Sequence, residues 1–274
     1  MAEIQVDGHR VWYSTGGADW SPGRPLVIFL HGAGGDHTVW ALQTRALAQH
    51  GWNVAAADLP GHGRSEDQSG LDSVEALAAW TGRLIESLGE VKAMLSGHSM
   101  GACIALTLAA REPERISALT LLGAGAAMPV SEALLHDTRD RPERAQAFIT
   151  AYAHGRPSHF GGMDSPGIWL LGAGQALLER CPAPVLHRDF AMCGAWNGAP
   201  FAIQVRCPTL VLSGELDRMV PAKAGRDLAE LIGGARFETI SGTGHMMMGE
   251  APGAVTRALR SFLGETAAGE KPDA

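Results

Sequence analysis

Val91-Lys-Ala-Met-Leu-Ser-Gly97-His98-Ser99-Met100-Gly101, continuing through Ala102 to Arg111, is the stretch that decides the fold. Its first six residues, Val91 to Ser96, read as a short buried strand. From Ser99 to Arg111 the chain reads as a helix, stopped by Pro113. The serine therefore sits on a tight strand-to-helix turn, where glycines two residues to either side remove the Cβ atoms that would clash. That geometry exposes its hydroxyl at the carboxyl end of a sheet. It also aims the free N–H groups and positive dipole end of the new helix at any developing oxyanion.

Outward from this turn the chain alternates. Upstream lie a hairpin signal around Asp7-Gly8, the apolar strand Leu26–Leu30, a helix over about 39–50, a strand over 52–58 and a helix over about 73–88. Downstream, Ile116 to Leu122 is another strand. Strand and helix in this rhythm build a parallel sheet with helices on both faces, and runs such as Leu-Val-Ile-Phe-Leu suit strands covered on both sides. From Gly123 to Arg206 the rhythm breaks into helix-like pieces near 131–152 and 168–180, with many Gly and Pro interruptions. We read this stretch as a helical insertion. The sheet pattern resumes at Thr209-Leu-Val-Leu212 and Arg236-Phe-Glu-Thr-Ile240, and a last helix covers about 251–263. The expected organisation is a core of residues 1–122 and 207–263, a helical cap of 123–206 and a mobile tail of 264–274.

The 274 residues carry 22 Lys and Arg against 29 Asp and Glu, a net charge of −7, with 46% hydrophobic and 19% charged residues. Such a chain folds around a sizeable core, and its acidic balance argues against nucleic-acid or anionic-membrane partners. No apolar run approaches the ~18 residues a membrane span needs, and the N-terminus lacks a secretory pattern. Cys103, Cys181, Cys193 and Cys207 show no metal-ligand rhythm, which points to free thiols in a reducing, cytoplasmic setting.

A serine hydroxyl needs a base and an acid to orient that base. His245, in the flexible Gly242-Thr-Gly-His245 loop, is the base candidate. Asp217, just after the strand ending at Leu212, is the acid candidate, with Glu215 as a rival. The small-residue loop His31-Gly-Ala-Gly-Gly35 can supply the second oxyanion donor, so Ala33 N–H and Met100 N–H are assigned as the pair. His31 itself is expected to be structural. Met246 and Trp40 are candidates for an apolar acyl pocket, as are Trp169 and Trp196 of the insertion. Histidines 136, 154, 159 and 187 lie without i, i+4 pairing or a nearby carboxylate pattern, which weighs against a metal site. The run from His136 to Arg144 reads as a solvated helix face.

The residues His31-Gly32, Asp58-Leu-Pro-Gly-His-Gly-Arg-Ser65, Gly97 to Gly101, Gly214-x-x-Asp217-x-x-x-Pro221 and Gly244-His245 together resemble the α/β-hydrolase superfamily. The resemblance covers about 25–125 and 205–263. It implies an α/β fold with an eight-stranded, mostly parallel sheet and a Ser99, Asp217, His245 triad. In relatives whose acid follows the sixth strand a carboxylate would be needed in Leu122 to Ala127; none is there, which favours Asp217. His62 and Arg64 are expected to be scaffold. A serine where haloalkane dehalogenases and epoxide hydrolases place an aspartate argues against both of those activities.

The expected activity is cleavage of a small to medium carboxylic ester through an acyl-enzyme, without a cofactor and with a small molecule as partner. Enol-lactone hydrolysis, carbon–carbon cleavage beside a ketone, thioester hydrolysis and perhydrolysis use the same triad. A small-molecule receptor with vestigial activity is the alternative from another class.

Overall fold

The computed structural model describes residues 2–161 and 168–269. The chain opens with the hairpin β1 (Ala2–Val6) and β2 (His9–Ser14), then β3 (Leu26–Leu30), α1 (Ala41–Ala48), β4 (Asn53–Ala57) and α2 (Val74–Ser87). β5 (Ala93–His98) leads through Ser99 into α3 (Met100–Arg111), and β6 (Ile116–Leu122) follows. Among the described residues, five α-helices intervene before the next strand: α4 (Glu132–Asp140), α5 (Pro142–Ala153), α6 (Leu170–Arg180), α7 (Ala183–Ala195) and the short α8 (Ala199–Ala202). The chain closes with β7 (Thr209–Gly214), α9 (Ala222–Leu231), β8 (Arg236–Ile240), α10 (Met247–Glu250) and α11 (Pro252–Gly269).

All eight strands form one sheet in the order β1-β2-β4-β3-β5-β6-β7-β8. The hairpin pairs antiparallel with β4, and every pairing from β4 to β8 is parallel. The central strands β3, β4, β5, β6 and β7 are buried throughout. This is the reason their sequences are continuous apolar runs: helices cover both faces, so neither side has to satisfy water. One face packs on α2 and α3 through Ile28, Leu95, Leu77 and Ile104, and the other on α1 and α11 through Phe29, Met94, Leu47 and Leu259. Parallel pairing points the carboxyl ends of β3, β5, β6, β7 and β8 to one edge, and the loops leaving them carry the candidate residues.

The differences from the sequence reading have local causes. Helix α7 begins at Ala183 with Pro184 in its first turn, where proline is tolerated because those N–H groups have no partner in the helix; the Pro-rich sequence there marks a start, not a break. Helix α9 likewise starts directly after a proline, Pro221 at its N-cap, which the strand-and-loop pattern of the sequence does not mark as a helix. Helix α11 runs to Gly269, so residues 264–269 of the expected mobile tail are helical, held by Arg236–Glu265 and Ser261–Glu265 bonds. His136 lies beside two carboxylates, 3.1 Å from Asp140 and 3.7 Å from Asp137, contrary to the expectation of none nearby. The run around it is otherwise largely solvated. Among the described residues no helix is long and apolar enough to cross a membrane.

Candidate functional site

Ser99 has φ 53° and ψ −117°, a left-handed conformation rare for a residue with a side chain. The turn is possible only because of its flanks. A Cβ on Gly97 would lie 2.2 Å from the Gly101 carbonyl oxygen, and one on Gly101 would lie 2.3 Å from the Leu30 carbonyl oxygen. The Ser99 N–H donates to Leu122 O at 2.9 Å, tying the turn to β6. Met100, as the first residue of α3, has an N–H beyond the reach of the helix's own ladder.

Asp217 and His245 come together because β7 and β8 are parallel neighbours, so the loops after them leave the sheet side by side. His245 Nδ1–H donates to Asp217 Oδ2 at 2.7 Å, with both side chains almost wholly buried. Asp217 Oδ1 accepts from the Met219 and Val220 N–H groups at 2.8 and 2.9 Å, which fixes the carboxylate plane. Glu215 points elsewhere: it is exposed and accepts from Ser241 and Gly242 of its own loop pair. Gly123, at φ +59°, sits under the imidazole, and a Cβ there would meet His245 Cε1 at 2.9 Å.

His98, buried between these parts, donates from Nε2 to the His245 carbonyl at 3.0 Å. Burial, with the nearby His245, pushes its pKa well below the ordinary histidine value, so it acts as a neutral brace. His31 plays the expected structural part in its loop. Its Nδ1–H donates to Gly32 O at 2.9 Å and its Nε2 accepts from Leu59 N–H at 3.0 Å. Burial, then the charge of His62, lowers its pKa to about 4.

Ser99, His245, Ala33 and Met246 line one cavity of about 280 Å³. Its walls are mainly apolar, from Val39, Leu134, Ile149, Leu178, Phe190, Val220 and others of the insertion and the Asp217 loop. Its polar lining is sparse: Ser131 and Thr150 are engaged within the protein, Arg218 reaches back to Ala151 O and stacks on Tyr152, and His154 donates from Nδ1 to Thr150 O. The three tryptophans proposed for the pocket do not line it. Trp40 is fully buried in the core against Phe29. Trp196 is buried too, its Nε1–H donating to Thr107 Oγ1 at 3.1 Å, while Trp169 is 77% exposed at the start of α6. Tryptophan is large enough to serve core, surface or pocket, and its position along the chain did not discriminate among them.

Several residues in the site were not visible as such in the sequence. Glu250, 4% exposed, takes Gly244 N–H on one oxygen and Gly155 N–H with Ser158 Oγ–H on the other, stapling the His245 loop to the insertion. The Ala153 carbonyl accepts from both His245 and Met246 N–H groups, at 2.7 and 3.1 Å. Asp189 of α7 contacts the loop that carries Ala33. Apart from Gly244 and Glu250, which are six residues apart, these partners lie 92 to 155 residues from each other in the chain, and no spacing rule connects them.

The grouping of Asp36, His37 and Asp58 brings possible ligand atoms within 4.8 Å of one another. Each of the three is already hydrogen-bonded within the protein. Asp58 accepts from His37 N–H, His37 Nδ1–H and Arg64 N–H, and Asp36 from Thr38 and Arg180. His62 and Arg64, expected as scaffold, do belong to this neighbourhood: Arg64 stacks over Trp12 and His62 pairs with Asp189. The four cysteines are free thiols.

The α/β hydrolase fold profile matches residues 25–165, and that of TAP-like proteins matches residues 184–273. The chain belongs to the α/β-hydrolase fold family, and with this fold and these relatives it is a hydrolase. It is 30% identical to a Mycobacterium phage D29 protein named as a candidate non-heme haloperoxidase, over 90% of this chain and 89% of that one. Among solved structures, the enol-lactonase from Burkholderia xenovorans LB400 superposes with TM-score 0.86 at 24% identity, covering 96% of this chain and 99% of that one. An esterase from Thermogutta terrifontis gives TM-score 0.81 at 25% identity, covering 97% and 98%.

Proposed function

We propose that the chain is a serine hydrolase that cleaves carboxylic esters of small to medium acyl or aryl groups through an acyl-enzyme. One observation carries this reading: a serine held in strained backbone geometry opens into the same apolar cavity as a histidine whose far nitrogen is bound to a buried carboxylate. In the proposed cycle His245 Nε2 takes the Ser99 proton as Oγ attacks the carbonyl. Asp217 holds the tautomer that leaves Nε2 free to accept, and it stabilises the imidazolium that forms. Ala33 and Met100 N–H groups meet the oxyanion of the tetrahedral intermediate. His245 then protonates the leaving alcohol, and water, deprotonated by the same nitrogen, opens the acyl-enzyme.

The apolar wall and sparse polar lining support a hydrocarbon acyl or aryl group over a highly charged substrate. The esterase likeness supports the same choice, and the reaction calls for no cofactor. A screen of p-nitrophenyl esters of increasing acyl length, with lactones and a vinylogous diketone acid included, tests the reading. Saturable turnover of a short or medium ester is expected. Turnover of the lactone or diketone alone would replace the ester assignment, and stoichiometric binding with no turnover of any member would move the protein to the receptor class.

A further inference from the structure

The loop that carries Ala33 is held from outside the sheet domain. Gly34, the residue after Ala33, donates its N–H to Asp189 Oδ2 at 2.9 Å, and Asp189 belongs to α7 of the insertion. The same carboxylate oxygen accepts from His62 Nε2–H at 2.8 Å, while His62 Nδ1–H donates to Pro60 O at 3.2 Å. Both ring nitrogens thus face acceptors, the pattern of an imidazolium. Both side chains of the pair are at most 2% exposed. Burial works against the charge on His62, but Asp189 outweighs it and raises the His62 pKa to about 10. Gly34 has φ +67°, and a Cβ there would strike Leu186 and Leu178 of the insertion at 2.6 and 2.8 Å. The tip of the loop is therefore pressed and hydrogen-bonded by the insertion, one residue beyond the amide assigned to the oxyanion.

We propose that Asp189, charge-paired with His62, is a positioning residue that aims the Ala33 amide at the oxyanion, so that the helical insertion completes the oxyanion hole. This rests on the serine-hydrolase reading above. The peptide plane between Ala33 and Gly34 begins one residue after the donor amide, so fixing the Gly34 N–H fixes the rotation available to Ala33. A carboxylate serves better than a neutral acceptor because its charged hydrogen bond is stronger, and the His62 imidazolium beside it offsets the cost of burying a carboxylate there. The insertion then contributes to the transition state through the backbone it holds, in addition to roofing the substrate.

The test compares Asp189→Ala with Arg180→Ala in the full chain. Arg180 also ties the insertion to the core, through Asp36, but does not touch Gly34. Three quantities are read: kcat and KM on the best ester of the screen, the rate at which a fluorophosphonate phosphonylates Ser99, and exchange of the Gly34 amide by NMR. For Asp189→Ala the expected result is a 10- to 100-fold fall in kcat and in phosphonylation rate, KM within about 3-fold of wild type, and loss of Gly34 protection. Arg180→Ala should leave kcat and Gly34 protection unchanged. Where Asp189→Ala does not fold, the paired change Asp189→Leu with His62→Leu removes the acceptor from Gly34, leaves no unpaired charge and carries the same comparison. Wild-type kcat in a folded Asp189 variant, an effect confined to KM, or an equal kcat loss in Arg180→Ala overturns the proposal. A wild-type enzyme that is not phosphonylated overturns the serine-hydrolase reading itself, and the positioning role with it.

Discussion

Ser99 pays for its exposure with a backbone conformation that only its glycine flanks allow, and each residue around it has a separable job. Ser99→Ala should abolish ester turnover and fluorophosphonate labelling while circular dichroism and Tm stay at wild-type values; persistent labelling at another residue would remove Ser99 as nucleophile. Asp217→Asn is expected to lower kcat by about 10²–10⁴-fold with little change in KM, because an amide can no longer fix the tautomer or balance the imidazolium. Glu215→Gln should be mild, since Glu215 bonds only to the exposed Ser241-Gly242 turn. Steady-state kinetics on the two variants check the ranking, and the reverse order would move the acid role to Glu215. Gly123→Ala adds a methyl 2.9 Å from the imidazole at a positive-φ position, so kcat should drop although no chemical group is removed.

At the scale of elements, the His245 loop is held by contacts that a substitution can weaken one at a time. Glu250→Gln places an amide where Gly155 N–H, Ser158 O–H and Gly244 N–H all need acceptors. Charge-assisted bonds of this kind contribute roughly 1.5–3 kcal/mol each when buried, so a loss of about 2–4 kcal/mol is expected in urea denaturation. The His31 and His62 rings, 4.8 Å apart, give the loops opposite responses to pH. His62 is raised in the fold to about 10, so its stabilisation is complete below the unfolded value near 6.5 and is lost as pH climbs through about 10. His31 is lowered to about 4, so it favours the fold above about 6.5 and loses that contribution as pH falls through about 4. Tm measured from pH 4 to 10.5 should therefore fall at both ends. In His62→Gln the alkaline fall should shrink, and an unchanged alkaline limb would show that the Asp189 pair is not its source.

For the whole molecule, the insertion is both wall and clamp. Ile149 of α5 is buried and faces the cavity, so Ile149→Phe should exclude longer acyl chains and lower their kcat/KM by about 10- to 200-fold relative to acetate, the range a few methylenes command in an apolar pocket. The tryptophans should behave differently. Trp196→Ala is expected to cost about 3–5 kcal/mol of stability with acyl preference kept, because the ring fills the core beneath the insertion. Trp169→Ala, on the surface, should change neither. Melting curves beside the ester series separate these outcomes, and a shifted acyl preference in Trp196→Ala would return that ring to the pocket.

Local sequence determined the sheet and the order of the candidate residues along its edge. Apolar runs such as Leu26–Leu30 and Ile116–Leu122 suit short strands buried on both faces, and the glycines of Gly97-His-Ser-Met-Gly101 permit the tight turn from strand to helix. Asp217 and His245 followed because parallel strands deliver the loops after them to one edge. Those inferences rest on interactions within a few residues, which spacing encodes. The tertiary structure alone decided which large side chains meet the cavity, where α7 packs, that Asp189 would grip the Ala33 loop, and that Glu250 would tie its own His245 loop to Gly155 and Ser158 of the insertion. These depend on which surfaces meet after the helices dock. A buried carboxylate finds hydrogen-bond donors 92 to 155 residues away through shape and desolvation, which leave no periodic mark in the chain.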